Sequence, residues 1–232
     1  MSSAWHTALL LLLLSSAAQA LEPFSAIYEL SFNGVKKGET HFSLILHKDG
    51  YSFEAFTQPA EQLLQQDSKH EILETSHGHF DNGRPEPDNY YYALRSASGT
   101  LLTEFFFDWK NMRLTLRGDK EQQKYILEDG TQDRLSYLLR AMVLLDSHQQ
   151  EARFPRVSLE GSENIGLKKK LQKYISTPVG RMLAREISIT SDKPGVTRSL
   201  WLASQHGGIP LLLIQKNDKG TVRMEIVKIE AP

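Results

Sequence analysis

Apolar and polar residues alternate with a period of two through most of this chain, the pattern that places successive side chains on opposite faces of an extended strand. From Phe24 onward, Phe24, Ala26, Tyr28, Leu30 and Phe32 share one parity, while Ser25, Glu29 and Ser31 occupy the other. Asn33-Gly34 and Gly38 then supply turn chemistry, and Phe42, Leu44 and Leu46 resume the alternation, so a hairpin is expected. The turn "HKDG" leads into "YSFEAF", in which Tyr51, Phe53 and Ala55 alternate with Ser52 and Glu54. Further on, "TLLTEFFFDW" and "MRLTLRG" flank Lys110-Asn111, "REISIT" precedes a Pro-Gly turn, and "IPLLLIQ" and "VRMEIVKIE" flank Asn217 to Gly220. Such repetition, with short turns and no βαβ spacing, specifies a large antiparallel sheet, curved or closed. The expected fold is mainly β: a large antiparallel curved sheet or half-barrel with one buried α-helix.

That helix is the one clear break in the pattern. In "TQDRLSYLLRAMVLLDSHQQ", Leu135, Leu138, Leu139, Met142 and Val143 fall at helical spacing, with Asp129-Gly130-Thr131 offering turn and cap chemistry before them. Tyr137, Ala141, Leu144 and Leu145 widen the apolar face, which suits a core helix packed on the concave side of the sheet. The segment "GLKKKLQKYIS" fits two readings. Leu167, Leu171, Tyr174 and Ile175 match a short amphipathic helix, yet Leu167, Leu171 and Ile175 also share strand parity. Its lysines read as a solvated face, with contact to anionic lipid head groups as the alternative.

At the N-terminus, "MSSAWHTALLLLLLSSAAQA" sets an apolar block, Ala8 to Leu14, between a short polar start and the small-residue sequence Ala18-Gln19-Ala20. This is the layout of a secretory leader over residues 1–20, cleaved to leave Leu21 first, although the leading region carries no Lys or Arg. The block is too short for a hydrocarbon core that needs about 20 residues. No transmembrane segment is therefore expected in the mature chain. There is no cysteine, so neither a lipid on a processed N-terminal Cys nor a disulfide framework is available. These features describe a soluble, non-lipidated periplasmic protein with one β-rich domain over residues 21–232. With 27 Lys and Arg against 28 Asp and Glu, bulk attraction to nucleic acid is unsupported.

The chemically suggestive stretch is "KHEILETSHGHF". On a strand, His77 and His79 share one face and His70 takes the other, so one face offers two imidazoles where zinc asks for three or four ligands. His41, Asp81 or another remote group would have to complete such a site. The structural reading is a polar strand surface, with Gly78 suited to a bulge or close backbone approach. No nucleophile elbow, Walker loop, dinucleotide glycine motif or His-Glu-x-x-His appears, and no catalytic residue, metal or cofactor is assigned. The cluster "FFFDW" reads as sheet core or as part of the wall of an apolar ligand cavity.

Several segments occur together in order: "FSAIYELSFNGVKKGE", "SHGHF" followed by "RPEPDNYYY", "FFFDW", "QDRLSYLLRAM", "STPVGRMLAREI" and "RSLWLASQHGGIPLLLI". This ordered set resembles the exported bacterial family known as domain of unknown function 3108 over nearly the whole mature chain. The resemblance implies a periplasmic β-rich domain, a curved half-barrel reminiscent of lipoprotein carriers, and supplies no catalytic residues. It places Ser76, Gly78 and Phe80 in a strand-and-turn segment, and favours a strand for Leu167 to Ile175 before the Thr177-Pro178-x-Gly180 turn. The functional expectation is a non-enzymatic protein that binds an apolar or amphipathic ligand, a lipid or lipoprotein-like molecule, or an envelope partner protein. Phe107, Trp109 and Trp201 are the candidate ligand-binding residues. The alternatives are a metal-dependent or other hydrolase using His77 and His79, and a structural interaction module.

Overall fold

The computed structural model describes residues 21–60, 70–118 and 122–230; the leader expected over residues 1–20 lies outside them. From the N-terminus come β1 (Phe24–Phe32), β2 (Val35–Leu46), β3 (Gly50–Pro59), β4 (Glu71–Asp81), β5 (Arg84–Ser96), β6 (Gly99–Asp108), β7 (Arg113–Gly118) and β8 (Gln122–Ile126). The helix α1 (Ser136–Asp146) follows, and then β9 (Glu151–Ser158), β10 (Gly161–Thr177), β11 (Gly180–Ser191), β12 (Thr197–Ala203), β13 (Pro210–Asn217) and β14 (Gly220–Glu230). All join one antiparallel sheet in the order β8-β7-β6-β5-β4-β3-β2-β1-β14-β13-β12-β11-β10-β9. Each strand therefore pairs with its sequence neighbour, β1 and β14 close the middle, and β8 and β9 are left as the two edges. The sheet is curved but not closed, and α1 lies in the connection between those edges.

Turn chemistry explains the meander. Asn33 and Gly34 take φ of 48° and 78°, and Asn82 and Gly83 take 49° and 75°. Two consecutive left-handed residues match the right-handed twist of flanking strands, which is why Asn-Gly joins β1 to β2 and β4 to β5. Phe24, Ala26 and Tyr28 are buried as their parity requires. The alternation then slips: the β1–β2 register shifts between Leu30 and Ser31, so Ser31 is buried and Phe32 is only half-buried. A bulge moves every later side chain to the other face. Residues 167–175 are strand throughout, within the long β10.

The helix is enclosed. Ser136, Tyr137, Leu138, Leu139, Ala141, Met142 and Leu144 are all buried, and α1 touches β5 on one side and β9 on the other, as well as the short turn His206–Gly208. Burying such an apolar side chain is worth about 1.5–3 kcal/mol. Asp129-Gly130-Thr131 does form a turn, in which Thr131 Oγ1 donates to Glu128 O at 2.7 Å. The capping role, however, belongs to Asp133. Its Oδ1 accepts from the backbone N–H of Leu135 (2.7 Å) and Ser136 (2.8 Å), while its own N–H donates to Ser136 Oγ (2.8 Å). The start is delayed because Gln132 first pairs with β9: its N–H donates to Pro155 O at 2.9 Å and its carbonyl accepts from Val157 N at 2.8 Å. Among the described residues, no helix is long and apolar enough to cross a membrane.

Candidate functional site

Three consecutive residues fasten the approach to α1 onto the sheet. Gln132, fully buried, sends Nε2 to Pro85 O (3.0 Å) and Gly130 O (2.9 Å). Asp133, also fully buried, accepts from Ser76 Oγ on β4 at 2.6 Å, and Tyr51 OH lies 3.3 Å from the same hydroxyl. Burial pushes the Asp133 carboxyl up to about 6, against the lowering effect of Ser76 and the backbone donors of Ser136 and Leu135. Arg134 turns the other way, with Nε 3.1 Å from Glu74 Oε1, and the same carboxylate accepts a hydrogen bond from Tyr90 OH. Buried polar groups are tolerated when they find partners, as Gln132 Nε2 and the Asp133 carboxylate do, although Gln132 Oε1 has none among the described residues. Here the partners tie α1 to β4 and β5.

Beside this junction lies a cavity of about 520 Å³, within the range of small-molecule pockets. Its lining is of two kinds. Leu30, Phe42, Ala55, Leu213, Val222 and Met224 from the centre of the sheet, with Leu135 and Leu138 from the helix, make an apolar surface. The same cavity is also lined by Glu74, Arg134, Arg156, Glu160, Glu163, Lys193 and Arg198. Glu163, 3% exposed, is bound by Arg156 and lies 3.4 Å from Arg198 Nη1, and Arg198 Nε donates to Gln215 Oε1 at 2.8 Å. Burial pushes the Glu163 carboxyl up, but the two guanidinium groups more than reverse this and hold it below the usual carboxylate range. Glu160 accepts from Ser158 Oγ at 2.8 Å, which, with Arg134 and Lys193 nearby, holds its carboxyl low as well.

Four cations thus share the polar lining with three carboxylates. The excess falls at Glu163, where one carboxylate serves two guanidinium groups. Arg156 stacks over the Tyr137 ring at 4.9 Å, and its Nε has no hydrogen-bond partner among the described residues. Paired cations in a partly dry site remain good donors to an incoming acid, since charge-assisted bonds are the stronger ones.

The candidate aromatic residues lie elsewhere. Phe107 and Trp109 stack on each other, ring centroids 6.1 Å apart, and Trp109 Nε1 donates to Pro87 O at 2.8 Å. Trp201, buried on β12, is covered by Lys173 Nζ, 4.6 Å from its ring. None of the three is among the residues lining the cavity. His77 and His79 are not brought together on a common ligand. His77 Nδ1 and His47 Nε2 each lie 2.9 Å from Ser52 Oγ, whereas His79 sits 3.1 Å from Asp88 Oδ1 and 3.4 Å from Glu86 Oε2. Among the described residues, no group of three or more His, Cys, Asp or Glu side chains could hold a metal ion. The charged lining was missed because each of its members looks like an ordinary surface charge. The available signal was parity: Glu74 shares the inward face with Ser76, Gly78 and Phe80.

Comparison with known proteins agrees with the architecture. The family model described as "Protein of unknown function (DUF3108)" matches residues 27–227. Among solved structures, the chain is similar to a beta-barrel-like protein of domain of unknown function DUF1849 from Brucella abortus, at a TM-score of 0.62 and 11% identity, covering 91% of this chain and 98% of that one. At that identity the likeness is one of fold. A "putative exported protein" with a YmcC-like fold from Bacteroides fragilis aligns over 91% of this chain and 97% of its own at 9% identity, with a TM-score of only 0.36. No curated protein matches the sequence.

Proposed function

The chain belongs to the DUF3108 family, matched over residues 27–227, and from its cavity we propose that it is an exported periplasmic protein binding an amphipathic molecule with an acidic head group. The observation carrying this reading is one cavity lined both by apolar side chains and by a cluster of charged residues with four cations against three carboxylates. A hydrocarbon portion gains about 25 cal/mol per Å² on leaving water against Leu30, Phe42, Leu213 and Met224. A carboxylate or phosphate would take charge-assisted bonds from Arg156, Arg198 or Lys193, which fixes orientation. A cavity of about 520 Å³ holds one such molecule rather than a bilayer-sized assembly. The leader pattern of residues 1–20 supports export, and the absence of cysteine speaks against a lipid at a processed N-terminal Cys.

The test is native mass spectrometry of protein purified from its own envelope fraction, followed by thermal shift with a fatty acid and the alcohol of equal length. A retained amphiphile, and stabilisation by the acid well beyond that by the alcohol, is the expected result. Arg198→Gln should remove the preference for the acid while leaving the unliganded melting temperature within a few degrees. No retained molecule and no shift with either compound would overturn the reading.

A further inference from the structure

Strands β10 and β11 run past their neighbours. β9 pairs with β10 only as far as Lys168, and β12 pairs with β11 only from Ala184 to Ile189. Beyond Ala184 β10 and β11 continue as a two-stranded ribbon, paired to each other from Tyr174–Leu183 to Thr177–Gly180. The outer edge of β10 beyond Lys169 meets no other strand among the described residues.

The composition of this ribbon is unlike that of the body. Residues 166–185, the ribbon together with the strand lengths that lead into it, hold six cations, Lys168, Lys169, Lys170, Lys173, Arg181 and Arg185, and no acid. The remainder of the chain then carries 21 Lys and Arg against 28 Asp and Glu, a net charge of −7. Lys168, Lys170, Lys173 and Arg181 are exposed. So are two large apolar side chains, Leu171 at 80% and Tyr174 at 59%, the latter with the Arg181 guanidinium 4.9 Å from its ring. A ribbon that served only as sheet would gain nothing from exposing them.

We propose that the β10–β11 ribbon docks this protein on an anionic bilayer surface. Each Lys or Arg close to such a surface is attracted by about 1 kcal/mol at physiological salt, and the attraction fades within a Debye length of roughly 8 Å. Charge alone gives loose association, and a second signal is needed for stable contact. Leu171 can enter the boundary between head groups and acyl chains, and Tyr174 suits the interface, where an apolar ring and a polar hydroxyl are both accommodated. The acidic remainder would be repelled by the same surface, so the ribbon also sets orientation. This surface is separate from the cavity and does not depend on what the cavity binds.

The experiment is co-sedimentation of the purified protein with vesicles of phosphatidylglycerol and phosphatidylethanolamine, compared with phosphatidylcholine vesicles and with heparin as a soluble polyanion. Binding to the anionic vesicles, weakened by added salt and absent on phosphatidylcholine, is expected. Lys168→Gln, Lys170→Gln and Arg181→Gln together should weaken it roughly a hundredfold. Leu171→Ser with Tyr174→Ser should weaken it several-fold at unchanged charge, and circular dichroism should show both variants folded. Equal binding to phosphatidylcholine, unchanged binding in the charge variant, or binding to heparin with none to anionic vesicles would overturn the proposal.

Discussion

The inner face of β4 presents Glu74 and Ser76 to the segment leading into α1, whereas its outer face carries His77 and His79 toward solvent. Both faces are polar, and the histidines draw more attention in the sequence. Their surroundings differ. Ser76 is fully buried and binds the buried Asp133, and Glu74 gathers Arg134 and Tyr90 beside the cavity. His77 meets Ser52, while His79 lies between the exposed Asp88 and the buried Glu86. What a polar residue contributes therefore depends on the face it takes, since an unsatisfied group costs far more inside than outside. The helix and its approach turn one face of β4 into an interior.

The severest way to break this comparison is to unseat the helix. Leu139 is fully buried in the middle of α1, and Leu139→Asp removes a burial worth about 1.5–3 kcal/mol while adding a desolvation cost of similar size. Against a total stability of about 5–15 kcal/mol, soluble accumulation should be abolished. Expression followed by a thermal melt checks this, and a variant melting like the parent would mean that α1 does not hold the core.

A finer probe is the charge on Asp133. Its carboxyl, pushed up to about 6 by burial, lies above its unfolded value of about 3.9. A group raised in this way contributes stability fully present below about pH 4 and lost as pH climbs through about 6, on the order of 3 kcal/mol in all. Glu163 acts in the opposite sense, because its lowered carboxyl contributes stability above the unfolded value that is lost on acidification. Asp133→Asn keeps an oxygen for the backbone donors and removes only the first of these. Denaturant unfolding from about pH 4 to about pH 7 should show the parent losing stability relative to the variant as pH rises. Parallel curves would show that the Asp133 carboxyl is not raised above its unfolded value.

The smallest effect separates the two faces within three residues. A Cβ on Gly78 would run into the carbonyl oxygen of Glu86 and stand 2.8 Å from Pro87 Cα, so Gly78→Ala should cost about 1–3 kcal/mol. Its flanking histidines, replaced together in His77→Ala/His79→Ala, should cost less than about 1 kcal/mol. Matched melts of the two variants decide it; a double histidine variant less stable than Gly78→Ala would give the outer face the structural role.

Much of this was legible beforehand. Alternation and Asn-Gly turns fixed the antiparallel sheet, the spacing from Leu135 to Val143 located the helix, and the parity of His77 and His79 put them on one face. The slip at Leu30/Ser31 was not legible, because a bulge depends on the partner strand. The capping role of Asp133 was hidden for a similar reason: Gln132 must first meet Pro155 and Val157, which are remote in sequence until the edge strand arrives.

The sequence by itself determined the local periods, and hence the kinds of element and the order of their neighbours, because those follow from where consecutive side chains can point. Only the tertiary structure decided which charges would share a cavity. Glu74, Arg134, Arg156, Glu163, Lys193 and Arg198 come from five separate stretches of chain, and their convergence arises from the curvature of the sheet around α1. No residue's own pattern records that curvature, because it is the sum of many strand pairings and one buried helix.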